Sequence, residues 1–110
     1  MEPVDLIIFG ASGDLSARKL FPALYQLDRA NLLPENLRIA AIARDDTELD
    51  GFLTKLHAKM VGNMGDGAPT EAQWQHFSRL FSYLRVDFSE AADYRTLKDW
   101  LDDNRISLFY

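Results

Sequence analysis

The 110-residue chain contains no cysteine, which excludes disulfide scaffolds, cysteine zinc sites and thiol nucleophiles. That absence suits a reducing compartment. The chain also lacks an excess of positive charge, with twelve Lys and Arg against seventeen Asp and Glu and a formal net charge of −5. Nucleic-acid binders normally present a basic field, so no nucleic-acid partner is expected. A polybasic membrane surface is missing for the same reason. Long apolar runs are absent as well: Leu6–Phe9 is far too short for a signal segment, and no stretch approaches a membrane span. The expectation is a soluble cytoplasmic protein. Histidine is scarce, with only His57 and His76 available as imidazole bases or ligands.

What is present is enough apolar material for one core. Hydrophobic residues make up 47% and aromatics 12%, so a disordered tail is excluded and a single compact domain is expected. An acidic chain of this kind still binds an anionic cofactor where a few cations and backbone amides converge.

The apolar pattern alternates between short runs and helical spacing. Val4–Phe9 is an apolar run broken only by Asp5 and ending at Gly10, as expected of a strand buried on both faces of a parallel sheet. A helix follows, with Leu15, Leu20, Ala23, Leu24 and Leu27 as its apolar face and Pro22 inside it, where a bend or a freed carbonyl is expected. Leu37–Ala43 reads as a second strand, Leu49–Met60 as a helix, and the glycine-rich stretch 61–69 as a flexible loop. Thr70 and Gln73 form a capping box opening a third helix whose apolar face is Trp74, Phe77, Leu80 and Phe81. Tyr83–Phe88 is the third predicted strand, Ser89 the cap of a helix carrying Tyr94, Leu97, Trp100 and Leu101, and Ile106–Tyr110 the fourth strand.

Strand and helix in alternation imply parallel strands joined by right-handed crossovers. The expected fold is α/β, a Rossmann-like doubly wound parallel sheet with spatial order 3-2-1-4, truncated at the fourth strand.

Gly10-Ala11-Ser12-Gly13 falls between the first strand and the first helix, where such folds hold a pyrophosphate. Gly10 permits the tight turn, and Gly13 lets the backbone approach a phosphate. The helix start offers unpaired N–H groups and a positive dipole end, and Ser12 adds a hydroxyl donor. The spacing is G-x-x-G rather than G-x-G-x-x-G, with Ser16 near the place of a third glycine, and a glycine turn without a ligand fits the same residues.

The residue after the second strand meets the adenosine ribose in this fold. A carboxylate there selects NAD, and an arginine pairs with the 2′-phosphate of NADP. Arg44 stands at that position with the donor fork a phosphate requires, while Asp45 and Asp46 follow at once and oppose it. A solvated Arg44 paired with either aspartate remains the structural alternative. At the end of the third strand, Asp87 and the Phe88 backbone are candidates to meet an adenine, with Asp87 as a helix cap the alternative.

The string Gly10 through Leu24, GASGDLSARKLFPAL, closely resembles the opening of glucose-6-phosphate dehydrogenases, whose pattern is G-A-S-G-D-L-A-x-R-K-L-x-P-A-L. Ala43-Arg44 and the NRISLFY segment at Asn104–Tyr110 resemble that family too, and only about Thr47 to Leu84 is weakly similar. The resemblance implies NADP as cofactor, bound by Gly10, Ala11, Ser12, Gly13, Asp14, Leu15 and Arg44. It implies a sugar-phosphate contact for Lys19, which on its own reads as an exposed helical lysine. It further implies glucose 6-phosphate as the substrate of the whole enzyme, a homo-oligomer when full-length, and residues 1–110 as the first part of the NADP-binding domain without the catalytic domain.

The family's catalytic motifs, R-I-D-H-Y-L-G-K-E and E-K-P-F/L-G, do not occur here, and His57 and His76 lie in unrelated helical contexts. No catalytic residue and no metal ligand is therefore assigned, and the chain alone is expected to be inactive. Two other readings stay open: a short-chain reductase or epimerase fragment, opposed by Ser16 and the absence of a Tyr-x-x-x-Lys pair, and a nucleotide-sensing module without chemistry.

Overall fold

The computed structural model describes residues 3–110. Its centre is a four-stranded, wholly parallel sheet formed by β1 (Val4–Phe9), β2 (Leu37–Ala43), β3 (Phe81–Arg85) and β4 (Ile106–Phe109), in the order β3-β2-β1-β4. This is the α/β, 3-2-1-4 arrangement expected of the alternating pattern. The helices α1 (Phe21–Arg29), α2 (Leu49–Met64) and α3 (Glu71–Ser78) connect the first three strands, and α4 (Ala91–Trp100) precedes β4.

Two cores form, one on each face of the sheet. Ile8, Ile39, Ala41 and Phe81 pack with Phe21, Leu24 and Tyr25 of α1, Phe52, Leu56 and Met60 of α2, and Trp74 and Phe77 of α3. Ile7, Ala40 and Ile42 face the other way onto Val86 and Leu97. The alternation of neighbouring strand residues between the faces is the pleat itself. Because both faces are covered, β2 is almost entirely buried, which is why its sequence is a near-continuous apolar run.

The helix after β1 differs from the expected one in two respects. Pro22 has no amide to donate, and its ring would strike the carbonyl four residues back in a regular helix. The chain answers with a wide π-type turn over Ser16–Leu20, where the Phe21 amide donates to the Ser16 carbonyl five residues earlier. The apolar face also differs: Leu15 and Leu27 are exposed and Ala23 lies at the surface, whereas Ala17, Phe21, Leu24, Tyr25 and Asp28 are buried. Two stripes of helical spacing coexist in this segment, and the one carrying Phe21 and Tyr25 removes more apolar area from water.

Other boundaries move as well. The stretch 61–69 is not a loop throughout, since α2 continues to Met64 and stops where Gly65 takes φ +56°, a value that costs glycine little. A single 3-10 turn, Gly65–Gly67, follows. Phe81 opens β3 rather than closing α3, so the third strand runs Phe81–Arg85 instead of Tyr83–Phe88. Ser89 does not cap α4: Glu90 takes the cap position, and no side chain bonds there. The capping box of α3 forms as expected, and Gln73 Oε1 also accepts the Tyr25 hydroxyl at 2.9 Å, tying α3 to α1.

The amino end of the sheet holds a buried charge. Asp5, the second residue of β1, is 0% exposed. Arg38, its neighbour in register on β2, donates to both carboxylate oxygens at 2.8 and 2.6 Å. Arg105, at the entry to β4, donates to Oδ1 at 2.5 Å and also to the carbonyls of Val4 and Asn36. The Arg38 guanidinium lies 4.0 Å over the ring of Trp100, at the end of α4. Burial raises the Asp5 pKa, but the hydrogen bonds and charges of the two arginines outweigh it and hold the group below its ordinary value.

Asp5→Asn leaves two guanidinium groups facing a neutral amide. Arg38 is 37% exposed and partly solvated, so the expected loss is about 3 kcal/mol, the lower end for a broken buried pair. A depressed carboxylate stabilises the fold above its unfolded pKa, and that contribution disappears as pH falls through the folded value. Urea midpoints should therefore fall below about pH 4 in the native chain, while Asp5→Asn starts lower and shows a smaller acid-side decline. Equal midpoints at neutral pH would refute a stabilising role for the triad.

Candidate functional site

The carboxyl ends of the strands present the candidate site. In an open parallel sheet the loops leaving these ends diverge where the strand order reverses, and here that point lies between β1 and β4. The chain leaving β1 turns at Gly10, whose φ of +66° is strained for any residue with a Cβ. The Ala11 amide then donates to the Ile42 carbonyl of β2 at 3.0 Å, and the Gly13 amide returns to the Gly10 carbonyl at 2.9 Å. The same carbonyl accepts the Ser16 hydroxyl at 3.2 Å. A Cβ at Gly13 would stand 3.1 Å from that carbonyl, so the turn closes on itself with no spare room.

Helical backbone begins at Asp14, and the amides of its first turn have no partner within the helix. They supply donors and the positive dipole end beside the turn. Asp14 itself pairs with Arg18 at 3.1 Å on the exposed side.

A groove of about 350 Å³ lies over this end of the sheet, lined by Gly10, Ser12, Gly13, Ile42, Ala43, Arg44, Asp45, Val86 and Phe88. It brings together the turn at Gly10–Gly13, the end of β2 and the loop after β3. Ile42, Ala43 and Val86 form its apolar floor. Arg44 is exposed at its rim and, among the described residues, makes no ion pair. Asp45 is there too: its Oδ1 accepts the Ser12 hydroxyl at 3.2 Å, and its backbone carbonyl accepts the Tyr83 hydroxyl at 2.7 Å and the Thr47 amide at 2.9 Å.

The remaining sequence candidates are placed differently. Ala11 is buried and lines a smaller hollow between the turn and α2. Leu15 is exposed beside the turn, outside the groove lining, and Lys19 is exposed on the wide π-type turn. Asp87 is occupied locally, accepting the Ser89 hydroxyl at 2.7 Å and the Ser89 amide at 3.0 Å. Those Ser89 bonds, with Arg44 and Arg85 nearby, hold its pKa below the ordinary value against a small opposing effect of burial. Phe88 reaches the groove and packs at 5.6 Å against Phe9 and 5.1 Å against Tyr94. His57 stacks on Trp74 at 4.4 Å, and His76 sits 3.7 Å from Asp28, so neither histidine lines the groove.

Two residues that shape the site had escaped the sequence reading. Lys59 of α2 donates to the Ser12 carbonyl at 3.2 Å, bracing the turn from behind. Its signal was present: Lys55 and Lys59, four apart on one helix, both border the hollow behind the turn. Tyr83, which fixes the backbone at Asp45, carried no local signal.

Comparison with known proteins agrees with this geometry. The family profile described as glucose-6-phosphate dehydrogenase, NAD binding domain, matches residues 7–110. A curated relative from Aggregatibacter actinomycetemcomitans, named glucose-6-phosphate 1-dehydrogenase, is 38% identical over 98 residues, covering 89% of this chain and 19% of its own length. The crystal structure of glucose-6-phosphate 1-dehydrogenase from Mycobacterium avium superposes with TM-score 0.87 at 28% identity, over 99% of this chain and 23% of that one. A glucose-6-phosphate dehydrogenase solved in complex with its substrate glucose-6-phosphate gives TM-score 0.76 at 28% identity, over 99% and 24% of the two chains. This chain thus spans about a fifth of the length of the curated relatives it matches. It belongs to the glucose-6-phosphate dehydrogenase family, within the nucleotide-binding domain, and the short-chain reductase reading is set aside.

The turn generates a test that needs no ligand. Gly10→Ala has open space but the wrong backbone angle, so it should destabilise the fold by about 1–2 kcal/mol through φ strain alone. Gly10→Asn should recover part of that loss, because Asn tolerates the left-handed region. Urea unfolding of the three chains checks the order Gly, Asn, Ala. An Ala variant as stable as the native chain would mean that Gly10 does not hold this conformation in solution.

Proposed function

We propose that this member of the glucose-6-phosphate dehydrogenase family is the NADP-binding part of a glucose-6-phosphate 1-dehydrogenase. Such an enzyme oxidises glucose 6-phosphate to 6-phosphogluconolactone: the sugar C1 hydroxyl loses its proton to a base and C1 gives up a hydride. The observation that carries the reading is one groove lined by both the G-A-S-G turn and the free Arg44. When bound, NADP supplies the hydride acceptor.

The residues present fit that cofactor. The close turn at Gly10 and Gly13, with the unpaired amides of the following helix, suits a pyrophosphate. The apolar floor of Ile42, Ala43 and Val86 suits an adenine face, with Phe88 at its margin. Arg44, which among the described residues makes no ion pair, presents a guanidinium, the donor a 2′-phosphate requires. These groups bind and orient; the base that takes the C1 proton is not assigned within these residues. Lys19, on the wide turn that Pro22 imposes, is proposed as a contact to the sugar phosphate.

The same reading places the enzyme in the cytoplasm as a homo-oligomer acting on a small-molecule substrate, without a nucleic-acid or membrane partner. No helix among the described residues is long and apolar enough to cross a membrane.

Arg44→Ala and Gly13→Val separate the two halves of the site. A hydrogen bond to a charged group contributes roughly 1.5–3 kcal/mol, or about ten- to a hundred-fold in affinity. Arg44→Ala is therefore expected to weaken NADP by that factor and leave NAD nearly unchanged. Gly13→Val, which presses on the Gly10 carbonyl, should weaken both cofactors alike. Titration calorimetry on the chain and its variants reads both. If Arg44→Ala weakens NAD as much as NADP, the arginine is structural and the NADP assignment fails.

A further inference from the structure

The peptide between Ser12 and Gly13 is held at both ends. Its amide, on Gly13, donates to the Gly10 carbonyl at 2.9 Å, and its carbonyl, on Ser12, accepts Lys59 Nζ at 3.2 Å. The neighbouring carbonyls are engaged closer to home. That of Gly10 accepts Gly13 and Ser16, and that of Gly13 accepts the Ala17 amide at 3.3 Å, all within the turn and the helix it opens. The Ser12 carbonyl is engaged instead by a side chain of another element, reaching in from α2. Lys59 lines the small hollow of about 30 Å³ behind the turn and does not line the groove, while Ser12 borders both. The peptide is thus part of the wall between the two, with its oxygen turned to the hollow.

That orientation matters to an anion. A backbone turn attracts a phosphate when its amides face it, and a carbonyl oxygen turned to the same side repels it. Without Lys59 the peptide keeps one tether, the Gly13 amide. The Ser12 hydroxyl bond to Asp45 fixes where residue 12 sits but not the plane of the peptide that follows it. Gly13 has no Cβ to resist rotation about its φ, so the oxygen is then free to swing towards the groove.

We propose that Lys59 is the positioning residue of this turn: its ammonium keeps the Ser12 oxygen facing α2 and so sets how tightly the groove holds a pyrophosphate. The inference rests on the nucleotide-binding reading above. Lys59 lies behind the turn and needs no contact with the nucleotide. Its bond is solvent-exposed, so the effect is graded rather than all-or-none.

Three variants separate position from charge. Lys59→Met removes the donor and keeps the apolar stem, and Lys59→Arg keeps both donor and charge. Lys55→Met removes an equal charge one turn earlier on the same helix, beside the same hollow. NAD and NADP share the pyrophosphate, and titration calorimetry reads each. In the ligand-free chain, amide hydrogen exchange followed by NMR reads Gly13 against the amides of β1 and β2. Lys59→Met is expected to weaken both cofactors by the same factor, about three- to ten-fold. It should also speed exchange at Gly13 while the β1 and β2 amides keep their rates. Lys59→Arg should return both readouts to within about two-fold of the unsubstituted chain, and Lys55→Met should move neither further than that, as a screened surface charge.

Unchanged affinity in Lys59→Met, a loss confined to NADP, an equal loss in Lys55→Met or Lys59→Arg, unchanged exchange at Gly13, or faster exchange throughout β1 and β2 would each overturn the proposal while leaving the nucleotide site in place. If the unsubstituted chain binds neither cofactor, the nucleotide reading falls and this inference with it.

Discussion

The Asp5 carboxylate, held between Arg38 and Arg105, is the contact on which the rest of the architecture depends. It joins the central strand β1 to β2 and to the entry of β4, and through Trp100 it reaches the end of α4. A charge with no exposed surface tolerates no alternative register. Sliding β2 by one residue would carry Arg38 to the other face and leave the carboxylate with Arg105 alone. Among the described residues, no buried side-chain polar atom lacks a partner, so the charge is kept without an orphaned group beside it. What the triad supplies is less a gain in net stability than a fixed alignment of the amino ends of three strands.

Alignment at one end determines what the other end can do. With β1, β2 and β4 in fixed register, Phe9 lies opposite Ile42 and Ile7 opposite Phe109, and the Phe9 amide donates to the Tyr110 carbonyl while the Ala11 amide donates to that of Ile42. The turn at Gly10 is thus stapled to β2 at its first step. Pro22 contributes further along the chain. The wide turn it forces follows the turn at Gly10–Gly13, so the helix start keeps its unpaired amides while α1 buries its aromatic face.

Much of this was legible in the chain and some was not. Val4–Phe9 and Leu37–Ala43 match the observed strands because a strand buried on both faces is a compact apolar run with polar ends. The boundary between α3 and β3 was misjudged because Arg79-Leu80 turns without Gly or Pro, and Phe81 suits either a helix face or a strand. Glycine density mispredicted the end of α2: Gly62 is accommodated within the helix, and the stop comes at Gly65, the one with positive φ. The placement of the turn residues and of Arg44 at the carboxyl ends of β1 and β2 could be read in advance because it follows from the alternation of strands and helices. The bonds from Ser12 to Asp45 and from Asp5 to Arg105 could not, since residues 33 and 100 positions apart meet only after the sheet assembles.

The charge of the site runs against the charge of the chain. At −5 the molecule repels an anionic nucleotide at long range, yet the groove offers the guanidinium of Arg44, without an ion-pair partner among the described residues, a helix amino end beside it and Lys59 behind the turn. Screening separates these influences by distance. At physiological ionic strength the Debye length is about 8 Å, so charges spread over the acidic surface are largely damped at the groove while contacts within hydrogen-bond distance persist. The field inside the groove is therefore set by the few groups at its rim. There the geometry is local: an exposed arginine, and beside it a carboxylate that accepts a hydrogen bond from Ser12 of the turn after β1. Arg44 and Asp45, adjacent and of opposite charge, share one groove: among the described residues the first makes no ion pair, and the second accepts the hydroxyl of Ser12 from the neighbouring turn.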